Sequence, residues 1–194
     1  MSLGKVLLVL FLSFVAAVLL VGGCIYSGYN RAIALDEAVD GGWAEVENQL
    51  QRRFELIPNV VETVKGLAEQ EKDVFLGVAE SRKAYFQADT VKDKAAAANL
   101  FQSALSRLLV LQERYPDLKS NEAFLKLQDT VEGTENRLTV ARQRYNEAVK
   151  SLNTFARRLT GRLYASLAGV GAAEYFKAPE AAKTAPKVDF GGGG

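Results

Sequence analysis

Trp43-Ala44-Glu45-Val46-Glu47-Asn48-Gln49-Leu50-Gln51-Arg52-Arg53-Phe54-Glu55-Leu56-Ile57-Pro58-Asn59-Val60-Val61-Glu62-Thr63-Val64-Lys65-Gly66 reads as helix on both sides of a proline. Trp43, Val46, Leu50, Phe54, Ile57, Val61, Val64 and Ala68 recur at spacings of three and four. A helix gathers them in one apolar stripe and turns Glu45, Gln49, Arg52 and Glu62 elsewhere. The register survives Pro58. An interior proline removes one backbone N–H and its ring crowds the carbonyl four residues earlier, here that of Phe54, so the pattern predicts a kink rather than a stop. The freed carbonyl needs a donor, and Arg52, Arg53 and Asn59 are the nearest in sequence. Together with Glu55 these residues also form a candidate interaction surface; the plainer alternative is a charged face left in water.

The chain has 194 residues and a formal net charge of +1, which suits one domain with an appendage and gives no electrostatic reason to expect nucleic acid. With no histidine and one cysteine, zinc sites, histidine triads, Cys–His dyads and intrachain disulfides are excluded. The 23 acidic residues are spread along helical repeats and offer no pair suited to acid–base work. The expectation is a protein without cofactor or metal and without enzymatic activity.

Val6 to Val21 is apolar apart from Ser13, and the run continues through Gly22-Gly23-Cys24-Ile25-Tyr26. Its length is close to the roughly 20 residues that a helix needs to cross a bilayer. Residues 1–28 are thus a membrane anchor, either retained or cleaved as a signal. Length favours the retained form. Val21-Gly22-Gly23-Cys24 also resembles a bacterial lipobox, which makes Cys24 a candidate lipidation site. Lys5 and the amino terminus before the run, against Arg31 after it, lean toward an inside amino terminus and an extracytoplasmic domain.

Residues 29–168 carry the bundle. From Tyr29 to about Gln87 the helical pattern is almost unbroken, with Phe75, Val78 and Tyr85 extending the stripe, and Gly41-Gly42 reads as a flexible joint above the membrane. So long a run predicts an elongated bundle, a coiled-coil-like stalk, or helices broken near Pro58. Asp89 or Thr90 caps a second helix whose face is Phe101, Ala104, Leu108, Leu111 and Tyr115, and Pro116 ends it. Asp117 or Ser120 is expected to cap the third. There Phe124, Leu127, Val131, Thr134, Leu138, Ala141, Tyr145, Ala148, Leu152 and Phe155 alternate threes and fours as a coiled-coil seam does. A basic strip at Arg137, Arg142 and Arg144 could grip phosphate, but acidic residues interleave with it. Short connections between such helices predict an all-α, antiparallel up-down bundle.

Past Phe155, Arg157, Arg158, Arg162, Leu163 and Leu167 suit a short basic amphipathic helix facing lipid or a neighbouring subunit; a fourth bundle helix is the equal alternative. Residues 169–194 form a glycine- and proline-containing tail in which Lys187-Val188-Asp189-Phe190 reads as extended.

Several short motifs in order carry a family resemblance. They are Tyr29-Asn30, Val39-Asp40, Trp43 to Gln49, Arg52-Arg53, Leu56-Ile57-Pro58-Asn59 and Val64-Lys65-Gly66, then Tyr115-Pro116-Asp117-Leu118-Lys119, Leu127-Gln128, Gly133-Thr134-Glu135-Asn136-Arg137, Ala141-Arg142, Arg144-Tyr145-Asn146 and Tyr175-Phe176. This set resembles the bacterial LemA family over about residues 29–155 and the tail motif. The resemblance implies a membrane anchor or lipoprotein signal, an antiparallel helical bundle, a bacterial envelope location and no enzyme. The chain departs from the family at Glu55, where aspartate is common, and after Asn153, where Phe155-Ala156-Arg157-Arg158-Leu159-Thr160-Gly161 replaces a phenylalanine-proline stretch.

Anchor, seams and missing catalytic inventory, joined to the bacterial envelope location that the resemblance implies, lead to one expectation: a single-pass scaffold of the bacterial inner membrane that self-assembles and presents Arg52, Arg53, Glu55 and Asn59 to an unidentified membrane or envelope protein. The alternative is a lipid-binding or membrane-remodelling protein acting through residues 157–167.

Overall fold

The computed structural model is all-α and describes residues 3–66 and 70–177. Its helices are α1 (Leu3–Lys65), α2 (Lys72–Phe86), α3 (Val91–Arg114), α4 (Glu122–Arg157) and α5 (Leu159–Ala168), with one 3₁₀ turn at Pro116–Ser120. The described chain divides into two compact units. One holds residues 3–45 and 143–173, the other 46–142 and 174–177.

The second unit is a bundle of four helical stretches. From α1 it buries Val46, Leu50, Phe54, Ile57, Val61 and Val64, the stripe on which the reading of the sequence began; Ala68 lies outside the described residues. α2 returns along α1, so Tyr85 near its end stacks at 4.5 Å from Phe54, while Phe75 near its start shares a cleft with Val61. α3 runs back along α2 and brings Phe101 to 4.5 Å from Phe54 on another side. On α4, Gln128 donates to Gln112 of α3 at 3.1 Å, and the short connection through Pro116–Ser120 makes those two neighbouring helices run in opposite senses. Full burial of one such large apolar side chain contributes about 1.5–3 kcal/mol. Phe54, touched from two sides, is the centre of this core.

The helix ends differ from expectation in two places. α1 does not run on to Gln87; it stops at Lys65, and Phe75, Val78 and Tyr85 are buried from a separate helix. The period of the apolar pattern resumes after the connection, which is why the sequence reads as continuous. The cap of α4 is neither Asp117 nor Ser120, both of which belong to the 3₁₀ turn. Asn121 Oδ1 accepts from the N–H groups of Ala123 and Phe124 at 3.0 and 3.2 Å. Thr90 caps α3 as expected, accepting from Asp93 N–H at 3.1 Å.

α1 passes through Pro58 as helix. The Phe54 carbonyl that Pro58 leaves unbonded accepts from Arg82 Nε of α2 at 3.2 Å, not from Arg52, Arg53 or Asn59. The donor comes from the neighbouring helix, which returns along α1 and carries Arg82 to that carbonyl.

In the first unit, Ala32, Leu35 and Val39 of α1 are buried, as are Val149 and Leu152 of α4 and Ala165 of α5. Gly41-Gly42 is not a joint. Helix α1 continues through both, and a Cβ on Gly42 would lie 3.2 Å from the Tyr145 Cα, so the second glycine permits a close crossing of α1 and α4. Trp43 stands beside it, its ring 5.5 Å from that of Tyr145. The seam of α4 also shifts here: Val149 is fully buried and Ala148 only half-buried, one position later than a strict heptad allows. A straight helix of 3.6 residues per turn drifts in this way from a 3.5-residue repeat.

Candidate functional site

Arg53 occupies a helical position three after Leu50 and four before Ile57, on the edge of the apolar stripe, and only 1% of it is exposed. It is therefore not part of a presented surface. Its Nη1 lies 2.5 Å from Glu135 Oε2 on α4, and its Nη2 donates to Gln102 Oε1 on α3. The guanidinium carbon stands 5.8 Å over the Phe101 ring. One side chain thus joins α1, α3 and α4.

A second arginine shares the same carboxylate. Arg142 Nη1 approaches Glu135 Oε1 at 3.5 Å, and its guanidinium lies over the Phe176 ring at 4.5 Å. Phe176 is itself buried, so residues 174–177 are held against this unit, helped by Asn99 donating to the Lys177 carbonyl at 3.2 Å. Two guanidiniums on one carboxylate leave a net positive charge in a largely water-excluded place. Burial lowers the pKa of both arginines; Glu135 opposes the shift in each, and Arg53 adds to it in Arg142. Arg53 Nε and Arg142 Nε and Nη2 are buried without hydrogen-bond partners. The arrangement can hold three helices in register. It leaves no phosphate strip, since Arg137 and Arg144 are exposed while Arg142 is turned into the cluster.

The rest of the expected surface stays together on the outside of α1. Arg52, Glu55 and Asn59 are exposed, with Leu56 beside them and Gln51 donating to Glu55 at 3.0 Å. The last helix carries the other group: Arg157, Arg158, Arg162, Leu163 and Leu167 are all exposed. Cys24 is an exposed free thiol on α1. Around it Leu19, Leu20, Val21 and Ile25 are exposed too, as an apolar segment with no protein covering should be; α1 is the one described helix long and apolar enough to cross a membrane. Among the described residues no group of three His, Cys, Asp or Glu side chains could hold a metal ion.

Comparison with known proteins gives the lineage. Residues 42–190, more than half of the chain, match the LemA family. The chain belongs to the LemA family. Two relatives, magnetosome protein MamQ 2 and magnetosome protein MamQ 1 of Paramagnetospirillum magneticum, are each 24% identical over 182 residues, covering 80% of this chain and 67% of theirs.

In this LemA-family chain, several of the motifs that carry the resemblance meet at the buried cluster. Arg52-Arg53, Glu135, Arg142 and Tyr175-Phe176 come from three motifs and the tail, and bring Arg53, Glu135, Arg142 and Phe176 together. Reading the sequence for surfaces missed this. The available signal was Arg53's spacing from Leu50 and Ile57; Glu135 and Arg142 each follow a buried seam residue, Thr134 and Ala141, by one position. Gln102 gives no such sign.

Proposed function

We propose that this LemA-family chain is a non-enzymatic, single-pass scaffold of the bacterial inner membrane, with its bundle on the extracytoplasmic side, that assembles with copies of itself. The observation that carries the reading is the dual use of α1. A single helix supplies an exposed apolar segment of membrane length and, further along, the buried stripe of the bundle core. Membrane attachment and bundle then share one backbone. The partner surface is Arg52, Glu55, Leu56 and Asn59 without Arg53, an exposed mixed-charge face on the side of α1 away from its stripe. The two magnetosome-named relatives support a bacterial setting.

The native particle mass of the full chain after gentle detergent extraction tests this, with the intact chain mass taken from the same sample. A defined multimer whose chains keep Met1 is the expected result. A strict monomer at every concentration overturns self-assembly, and a chain beginning at a lipidated Cys24 replaces the spanning anchor with a lipid tether.

A further inference from the structure

Helix α5 turns an unusual face outward. Its inner side is Gly161, Tyr164, Ala165 and Ala168, spaced i, i+3, i+4, i+7, with Gly161 and Ala165 buried. A helix with one side on a core and the other in water places charge opposite such a stripe. Opposite this one stand Leu159, Leu163 and Leu167, exposed by 91%, 59% and 58%. Arg158 and Arg162 each precede a leucine by one position, which puts them about 100° around the helix, on its flank. The charge there is of one sign. Residues 148–173 contain no aspartate or glutamate but include Lys150, Arg157, Arg158 and Arg162.

The seat of α5 is tight and lies at the end of the apolar segment. A Cβ on Gly161 would come within 2.0 Å of the Phe155 carbonyl oxygen, and one on Gly28 within 2.3 Å of the Tyr164 ring. Only glycine allows either approach. Phe155 and Tyr164 border one surface cleft with Leu20, Gly23 and Cys24. A left-handed Gly169 (φ 71°) ends the helix, Val170 N–H bonding back to the Ala165 carbonyl at 2.9 Å. Asn153 then clamps the returning chain through both polar groups of Ala173, at 2.9 and 3.0 Å.

We infer that α5 is an interfacial helix. Leu159, Leu163 and Leu167 enter the headgroup–acyl boundary of the bilayer that α1 crosses, and Arg157, Arg158 and Arg162 meet the phosphates of its anionic lipids. The inference rests on the anchored reading above and adds a second attachment beside the span. Two features select lipid as the occupant: α5 is seated beside the exposed apolar segment of α1, its Tyr164 ring against Gly28 and bordering one cleft with Leu19 and Leu20, and its flanking charge complements an anionic surface. A contact of α5 with α5 of a second copy would instead offer these arginines no carboxylate, since residues 148–173 contain none.

The test uses the full chain with Cys24→Ser and one nitroxide-labelled cysteine at a time, at Leu163, at Leu20 in the span, or at Leu100, which is exposed on α3. Each protein is reconstituted into phosphatidylcholine vesicles with or without phosphatidylglycerol, and relaxation by oxygen, which concentrates in lipid, is compared with relaxation by a water-soluble nickel chelate. The Leu163 label is expected to follow the Leu20 label, favouring oxygen several-fold over the Leu100 label, and to move deeper when phosphatidylglycerol is present. Replacing the three arginines, by Arg157→Gln, Arg158→Gln and Arg162→Gln, should abolish that response to phosphatidylglycerol. A lipid-exposed Leu20 label with a Leu163 label that matches Leu100 overturns the interfacial helix alone. A Leu20 label in water overturns the anchored reading and this inference with it. Spin–spin broadening at Leu163 that vanishes on dilution with unlabelled chain assigns the face to a second copy and overturns lipid as its occupant.

Discussion

Glu135 serves two arginines, and its removal therefore differs from the removal of either one. Without Glu135, the fully buried Arg53 keeps a single neutral acceptor, Gln102, and the mostly buried Arg142 loses its carboxylate. Leaving a buried charge uncompensated costs roughly 3–5 kcal/mol. Arg53→Met, by contrast, fills similar volume and leaves Glu135 and Arg142 as a one-to-one pair. Urea denaturation of the full chain in detergent should show Glu135→Ala costing at least about twice what Arg53→Met costs, in line with the penalty for orphaned buried charge. Equal costs would mean that Arg142 contributes nothing to the cluster and that an ordinary pair explains the burial of Arg53.

Among the helices, α1 and α2 are tied by a bond that exists because of Pro58. Arg82 donates to the carbonyl that proline cannot satisfy, and it stands 5.5 Å over the Phe86 ring on its own helix. Arg82→Met keeps much of the packing and removes the donor, which should cost about 1–2 kcal/mol by leaving the Phe54 carbonyl unpaired. In a Pro58→Ala background the alanine N–H can reach that carbonyl, so the same change should cost less than about 0.5 kcal/mol. A double-mutant cycle by chemical denaturation reads the difference; additive effects would show that the Arg82 bond does not answer to the proline. This bond also marks how far the sequence was legible. The spacing of Val46, Leu50, Phe54, Ile57, Val61 and Val64 gave the buried face, and the missing N–H at Pro58 gave the carbonyl in need. What could not be read was the donor, because it depends on where α1 stops and α2 folds back, and the apolar period runs through that break without a slip. The same blindness applied to Arg53. A charged residue one step off a stripe looks solvated until the partners on two other helices are known.

For the whole molecule, the charge inventory decides how stability answers to pH. Without histidine, no side chain has an ordinary pKa between pH 5 and 8. The resolved shift within reach of experiment is alkaline. Tyr85, buried against Phe54 with Glu47 nearby, has its phenol pushed up from 10.0 to about 12, first by burial and then by that carboxylate. A raised value means that the folded state holds the proton more tightly than the unfolded one. The stabilisation is fully present below about pH 10, declines as pH rises from 10 to 12 and is gone beyond the folded value. Tyr85→Phe keeps the ring in the aromatic core and removes the ionisable group. Urea midpoints of the full chain in detergent, taken from pH 7 to 12, should therefore coincide for the two proteins near neutrality and separate above pH 10, with the phenylalanine variant the more stable. Parallel alkaline limbs would show that the phenolate is tolerated where it forms, and that burial of Tyr85 does not hold its proton.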